Sequence, residues 1–374
     1  MKTIVGGGCQ GVAKMTGRTY RLCIGSFDLI KGFAICVVIF GHIATLFDVR
    51  KLTWFYPVLI ILEYLKTPII PLFFIISGYG FAENKISTVI RKTVKSLILP
   101  YAVIMVCFCV LQPFFALLQG AEWRAAIEKS ISIALAFLLG LPIPGKLLFG
   151  IRLSHCAIVW FLLTLFWAQN ILNLILKIKN IAVQIVLLLL GAAAGYWLFQ
   201  LEMTYYCIPH GLIATSYVYL GHVMKKYRII QKAYSAERSF SAWIIGSVWV
   251  MIAVLYAQWG VFDLCYGKFS WFPVDYIGVM FLSVLLFAIG VILGQLDWRI
   301  FDLIQQIGGY SYWVFCIHSV EQKCLPWDKF IRATAEYPNV GFVLALVIKA
   351  VIITFFCKIV KRLNKERYRK KKQI

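Results

Sequence analysis

The sequence predicts an all-α fold, a polytopic membrane helical bundle of about ten transmembrane helices with both termini cytoplasmic. Three observations lead there. The chain of 374 residues is 61% hydrophobic and 14% charged, with a mean hydropathy of +0.82, whereas a soluble domain carries about 25% charged residues. A soluble globular enzyme is therefore excluded. Apolar blocks of about 20 residues, long enough to cross a hydrocarbon core of roughly 30 Å, recur along the whole chain between short polar stretches. Finally, 38 Lys and Arg outweigh 16 Asp and Glu, for a net charge of +22, and this excess is distributed by membrane topology instead of forming a nucleic-acid face. The expected partners include the lipid bilayer and no nucleic acid.

The elements follow in order. Residues 1–25 carry Lys2, Lys14, Arg18 and Arg21 with the triplet Gly6, Gly7 and Gly8, but no apolar core ahead of a small-residue cleavage site. A cytoplasmic leader is expected there, with Met15 as an alternative start. Length and hydropathy place spans at 28–47, 57–82, 97–119, 156–176, 181–199, 207–224, 241–259, 274–294, 304–321 and 339–360. The stretch 130–144 ends at Pro142 and Pro144; it is too short and broken for a span and reads as interfacial or re-entrant. Residues 361–374 form a basic cytoplasmic tail. The run from Lys358 to Lys372 holds nine basic residues against Glu366, which suits an anionic leaflet. With both ends inside, the cytoplasmic segments collect 25 of the 38 Lys and Arg, as the positive-inside rule demands. Lys31 and Lys349 fall within spans and stand outside that count. No internal repeat appears, so residues 26–360 are expected to form one membrane domain.

The 11 cysteines are an odd number, most of them in apolar runs, and no Cys-x-x-Cys spacing occurs. Neither a zinc site nor a redox pair is expected. Cys107 and Cys109 are two apart on a helix and face different directions, so the cysteines read as small hydrophobes. No metal site is expected.

An ionisable side chain inside a span costs on the order of 2.5 to 3.5 kcal/mol and is a functional candidate by default. The first span has three such residues. Asp28 and Lys31 are three apart, and His42 follows eleven residues after Lys31. Eleven helical steps bring Lys31 and His42 within about 20° of each other, roughly 16 Å apart along the axis, and Asp28 falls within about 40° of that stripe. The plain reading has Asp28 capping the helix, Lys31 snorkelling to the headgroups and His42 merely paired. The functional reading uses the imidazole as a general base, since its pKa lies near operating pH, with Gly41 permitting close backbone approach beside it.

The segment Phe27-Asp28-Leu29-Ile30-Lys31 through Gly41-His42 resembles the opening signature of the acyltransferase 3 family. Members are multi-pass enzymes that move acyl groups from acyl-CoA onto carbohydrates and other envelope acceptors. The family pattern is a basic residue, ten intervening residues and a His. Lys31 stands where many members have Arg, which keeps the charge but loses the guanidinium fork. Pro71-Leu72-Phe73-Phe74-Ile75-Ile76-Ser77-Gly78-Tyr79 is similar to a second family block, and Val159-Trp160-Phe161-Leu162 to a third. Tyr219-Leu220-Gly221-His222 with Lys225 and Lys226 resembles a fourth, with His222 replacing an aromatic. Ile307-Gly308-Gly309-Tyr310-Ser311-Tyr312 through His318 resembles the last. Five blocks in order cover residues 26–360.

The resemblance implies acyl transfer, expected to be of acetyl, from acyl-CoA to a hydroxyl of a glycan or other cell-envelope acceptor, in the cell membrane and with no tightly bound cofactor. His42 is then the base, Lys31 orients or neutralises the donor, and Asp28 holds Lys31. Ser77 lacks the first glycine of a nucleophile elbow and sits in a helix, so close helix packing through Ser77, Gly78 and Gly80 is the stronger reading. Tyr79 is a candidate cavity residue, and Trp160 a candidate platform for a sugar ring. His318 and Glu321, three apart, form a candidate pair that orients the imidazole. His155 and His210 read as isolated interfacial residues near the outer surface. Lys85, Arg91, Lys92 and Lys95 are able to hold CoA phosphates, although the positive-inside rule explains them equally. No GxGxxG, P-loop or HExxH motif occurs. The alternative function is a secondary transporter of a small anionic metabolite, with Asp28, Lys31 and His42 as a proton or anion pathway; the lack of inverted repeats weighs against it.

Overall fold

The computed structural model describes residues 25–148, 150–229, 246, 261–294, 296 and 298–370. The expected span 241–259 lies outside these residues except for position 246, as do residues 1–24 of the leader and 371–374 of the tail. Helices dominate. They are α1 (Ser26–Ala44), α2 (Tyr56–Gly80), α3 (Ile86–Thr93), α4 (Leu99–Leu118), α5 (Trp123–Leu138), α6 (Trp160–Ile175), α7 (Ile181–Gln200) and α8 (Ile208–Lys226). After these come α9 (Val274–Leu293), α10 (Arg299–Gly309), α11 (Ser311–Cys324), α12 (Trp327–Ala333) and α13 (Pro338–Lys370). The described strands are two antiparallel hairpins, β1 (Leu147–Leu148) with β2 (Ile151–Arg152) and β3 (Phe262–Asp263) with β4 (Lys268–Phe269).

Among the described residues six helical stretches are long and apolar enough to cross a membrane: 26–44, 86–118, 157–175, 181–200, 274–293 and 338–362. A seventh is α2 with the turn before it, if its two halves, bent by 46° between Leu62 and Leu65, count as one span. The proline ring of Pro68 clashes with the carbonyl four residues earlier and leaves it without a donor, which accounts for the bend. Three of the ten expected spans are not among these: 241–259 lies outside the described residues apart from position 246, 207–224 is helix α8, and 304–321 is a pair of shorter helices. Helix α8 occupies the expected 207–224 position, but eleven of its nineteen residues are buried, so it meets protein instead of lipid and tolerates His210, Thr215 and Ser216. The expected span 304–321 is broken at Tyr310 into amphipathic α10, of 11 residues, and α11, of 14, each too short to cross alone. The stretch expected to be interfacial, 130–144, is largely the end of α5, a sixteen-residue helix.

Helix α8 lies at the centre, packed by α2, α6 and α7. Glycine sets the closest crossing. A Cβ added at Gly78 would sit 1.9 Å from the Val218 carbonyl oxygen, and one at Gly221 would sit 1.9 Å from that of Ile75, so α2 and α8 cross backbone to backbone. Gly80 has nothing within 4 Å and takes no part. Between α3 and α4 the chain makes a π-helical turn at Val94–Ile98, where the Tyr312 hydroxyl donates to the Ser96 carbonyl at 2.7 Å. That bond ties α11 to the turn and satisfies a carbonyl whose α-helical partner four residues on, Pro100, has no N–H.

Candidate functional site

Helix α1 begins without a side-chain cap. Asp28 instead forms an ion pair with Lys31 at 2.6 Å, with 19% and 28% of the respective side chains exposed. The i,i+3 spacing on one face produces this contact. Helix α10 seals one side of the pair. An added Cβ at Gly308 would lie 1.6 Å from the Asp28 carbonyl oxygen, and one at Gly32 would lie 1.9 Å from that of Ile304. The two helices therefore touch through their glycines next to the pair.

His42 stands about 16 Å further along α1, at its last turn. Its ring centroid is 5.6 Å from that of His318 on α11. The Nδ1 of His318 lies 2.7 Å from Glu321 Oε1. The same carboxylate oxygen accepts from the Lys349 ammonium of α13, also at 2.7 Å. Lys349 additionally donates to the Gln322 side-chain oxygen and sits 4.3 Å over the Trp327 ring. Trp327 in turn donates its indole N–H to the Glu321 carbonyl at 3.1 Å, and Gln322 Nε2 reaches the His42 carbonyl at 3.4 Å. His318 and Lys349 are fully buried, Glu321 is 4% exposed, and His42 is half-buried.

Three helices thus converge on a row running from His42 through His318 and Glu321 to Lys349. A carboxylate facing His318 Nδ1 draws the ring proton to that nitrogen and leaves Nε2 as a lone-pair acceptor. His318 Nε2 and Glu321 Oε2 are closed off from solvent without a protein partner. Such orphaned atoms carry a desolvation cost of about 1–3 kcal/mol each and call for a functional account. His42 is the one member of the row that is not fully enclosed.

The structure joins His318 and Glu321 to His42, and keeps Asp28 and Lys31 as a pair at the other end of α1. The sequence alone does not assign Lys349, which reads there only as a basic residue inside a span. Its signal was present, as a lone ammonium in the apolar run 339–360. Gly41 faces open space, with nothing within 4 Å of an added Cβ, so among the described residues no helix packs against the backbone beside His42.

The other candidates lie elsewhere. Ser77 accepts from Gln169 Nε2 at 2.8 Å, and Tyr79 packs its ring 4.5 Å from Phe27. Trp160 is 5% exposed with its ring 5.2 Å from that of His210; it packs protein and has no face open to a sugar. His210, expected near the surface, is fully buried beside Phe199. It was misplaced because α8 lies inside the protein. His155 accepts the Ala157 N–H on Nδ1 at 3.0 Å, which leaves the ring proton on Nε2. Burial, helped by the Lys323 ammonium, lowers its pKa to about 4.

The acyltransferase 3 family model, described as an acyltransferase domain, matches residues 24–360. No curated protein and no solved structure matches the chain.

Proposed function

The chain belongs to the acyltransferase 3 family, and from that premise we propose that it transfers an acyl group, acetyl in the simplest case, from acyl-CoA to a hydroxyl of a carbohydrate or other cell-envelope acceptor. Its place is the plasma membrane, as a multi-pass protein. The observation that carries this reading is the row His42, His318, Glu321 and Lys349, in which an accessible imidazole is backed by a buried imidazole, carboxylate and ammonium.

In the proposed reaction His42 removes the proton of the acceptor hydroxyl as its oxygen attacks the thioester carbonyl. The tetrahedral intermediate collapses, the C–S bond breaks, and the CoA thiolate takes the proton back from the His42 imidazolium. His318 and Glu321 are positioning residues that offset the charge gained by His42 in between. Lys349 keeps the Glu321 carboxylate from being an isolated buried charge. Lys31, held by Asp28, meets the phosphates of the donor. The pantetheine arm separates those phosphates from the thioester, so contacts at opposite ends of α1 serve one donor molecule.

The test is CoA release from radiolabelled acetyl-CoA by the full-length protein in liposomes, with a panel of envelope glycans. Label should reach an acceptor with the wild type and not with His42→Ala. Uptake of a small anion without thioester consumption would replace the reading with the transporter.

A further inference from the structure

His222, which replaces an aromatic in the fourth family block, takes no part in the His42 row. It lines a cavity of about 170 Å³ between the start of α7 and the end of α8, with Leu176, just after α6, completing the wall. One side of the cavity is apolar. Ile181 and Ile185 are 47% and 46% exposed on α7, a helix that the protein leaves mostly bare, so this side opens towards lipid. The other side is polar, because Tyr219, His222 and Lys226 follow at spacings of three and four along one face of α8. Gln184 of α7 is fully used: its Nε2 donates to the Ile178 carbonyl at 2.6 Å, and its Oε1 accepts the Tyr219 hydroxyl proton at 2.9 Å. His222 is not. Its Nδ1 is closed off from solvent without a protein partner, and since a buried unpaired N–H is rarer than an unpaired acceptor, the neutral ring keeps its proton on Nε2. Neighbouring cations are occupied, Lys177 by Glu83 at 3.0 Å and Lys225 by the Phe81 carbonyl at 3.4 Å. Lys226 is exposed and meets the Tyr227 ring, 5.9 Å from its centroid.

We propose that this crevice binds an anionic phospholipid, its phosphate held by Lys226 and the His222 ring and its first chain carbons lying against Ile181 and Ile185. Three observations select that occupant. An ammonium and a ring N–H at one end attract an anionic oxygen, and charge-assisted bonds are about twice as strong as neutral ones. The apolar end faces the bilayer, so the bound molecule has chains. The volume falls below the roughly 300–1,000 Å³ of pockets that enclose a drug-sized ligand, which suits a headgroup and not a nucleotide. The crevice also lies where the helices α7 and α8 meet the side expected to be cytoplasmic, and basic pockets between helices on that side take anionic headgroups. The site is independent of the acyl-transfer reading and stands or falls without it.

The probes are dioctanoyl phosphatidylglycerol and dioctanoyl phosphatidylcholine, whose choline cation would sit against Lys226. Binding of each to the full-length protein in detergent, read by native mass spectrometry, should favour the anionic lipid by about tenfold, equivalent to about 1.4 kcal/mol. Lys226→Met should erase the preference, His222→Phe should weaken it and Lys226→Arg should keep it. Arg299→Gln removes a cation on the same expected side but outside the crevice, and should change nothing. Ile185→Trp fills the crevice without altering any charge and should abolish binding of the lipid, so the proposal is tested even if Lys226→Met fails to fold. Equal binding of the two lipids to the wild type overturns the site. A preference that survives Lys226→Met, or that falls equally with Arg299→Gln, overturns it as well, since a diffuse basic surface would then suffice. Glycerol phosphate, which lacks chains, should not displace the lipid; displacement would make this a site for a soluble phosphate. A dimer that is lost in Ile185→Trp, with no lipid bound to the wild type, would give the crevice to a second copy of the chain and overturn the lipid.

Discussion

His42 and Lys349 make opposite kinds of prediction, because the proposed reaction puts His42 on the substrate, whereas Lys349 is buried against Glu321, Gln322 and Trp327. Removing a general base costs about 10²- to 10⁴-fold in rate, so His42→Ala should abolish measurable transfer while its melting temperature stays near the wild-type value. Lys349→Met should instead destabilise, by about 3–5 kcal/mol as for other broken buried ion pairs, because it strands the Glu321 carboxylate. Combining it with Glu321→Gln should restore most of the stability, yet transfer should remain low, since His318 has lost its carboxylate. Melting curves and CoA release measured on the four proteins check this. A double variant with wild-type turnover would show that the carboxylate does not act on the chemistry. His155 predicts a pH effect. Its folded pKa of about 4 lies below the ordinary 6.5, so between those values the unfolded chain holds more protons than the folded one. Stability therefore falls as pH drops from 6.5 towards 4 and is unaffected by this group above 6.5. His155→Asn keeps an acceptor for the Ala157 N–H without the titration. Its melting temperature should drop less than that of the wild type between pH 7 and pH 4.5.

The crossing of α2 and α8 makes a prediction of its own. Alanine at Gly78 or Gly221 places a carbon 1.9 Å from a backbone oxygen, and overpacking of this kind costs about 1–3 kcal/mol. Gly41→Ala and Gly80→Ala, with nothing within 4 Å, should be tolerated. Thermal melts of the four variants test it, and equal effects at all four positions would refute the crossing. The same crossing shows what a sequence can carry. Helix positions were legible because lipid-facing segments must be apolar for about 20 residues. The pairs Asp28–Lys31 and His318–Glu321 were legible because i,i+3 neighbours share a face. Which helix lies against which was not, since periodicity within one segment is silent about its partner. For that reason Lys349 went unassigned and His210 was placed outside. The break at Tyr310 was signalled by Gly308 and Gly309, both weak helix formers, but the apolar residues on either side gave the appearance of one span.

At the scale of the whole molecule, α1 carries a charged pair at one end and the histidine row at the other, about 16 Å apart along the helix. The exposed aromatics Trp54, Tyr56, Trp123, Tyr205, Trp271 and Tyr337 lie on segments expected to face outward, and Tyr227 and Trp298 on segments expected to face inward, as residues of two interfacial belts do. Lys85, Arg91, Lys92 and Lys95 lie on the inward set. If donor phosphates meet Lys31 and the acceptor meets His42, the two substrates approach from opposite sides of the bilayer. Vesicles of fixed orientation test this directly. Orientation is set by labelling Arg50→Cys and Lys179→Cys with a membrane-impermeant reagent, above the background of the native cysteines. Acyl-CoA enclosed on the Lys179 side with acceptor on the Arg50 side should give transfer, and the reversed arrangement should give none. Transfer with both substrates confined to one side would mean that the thioester reaches His42 without crossing the length of α1. Lys31 would then be a structural ion pair, and the donor contact would have to be sought at the His42 end.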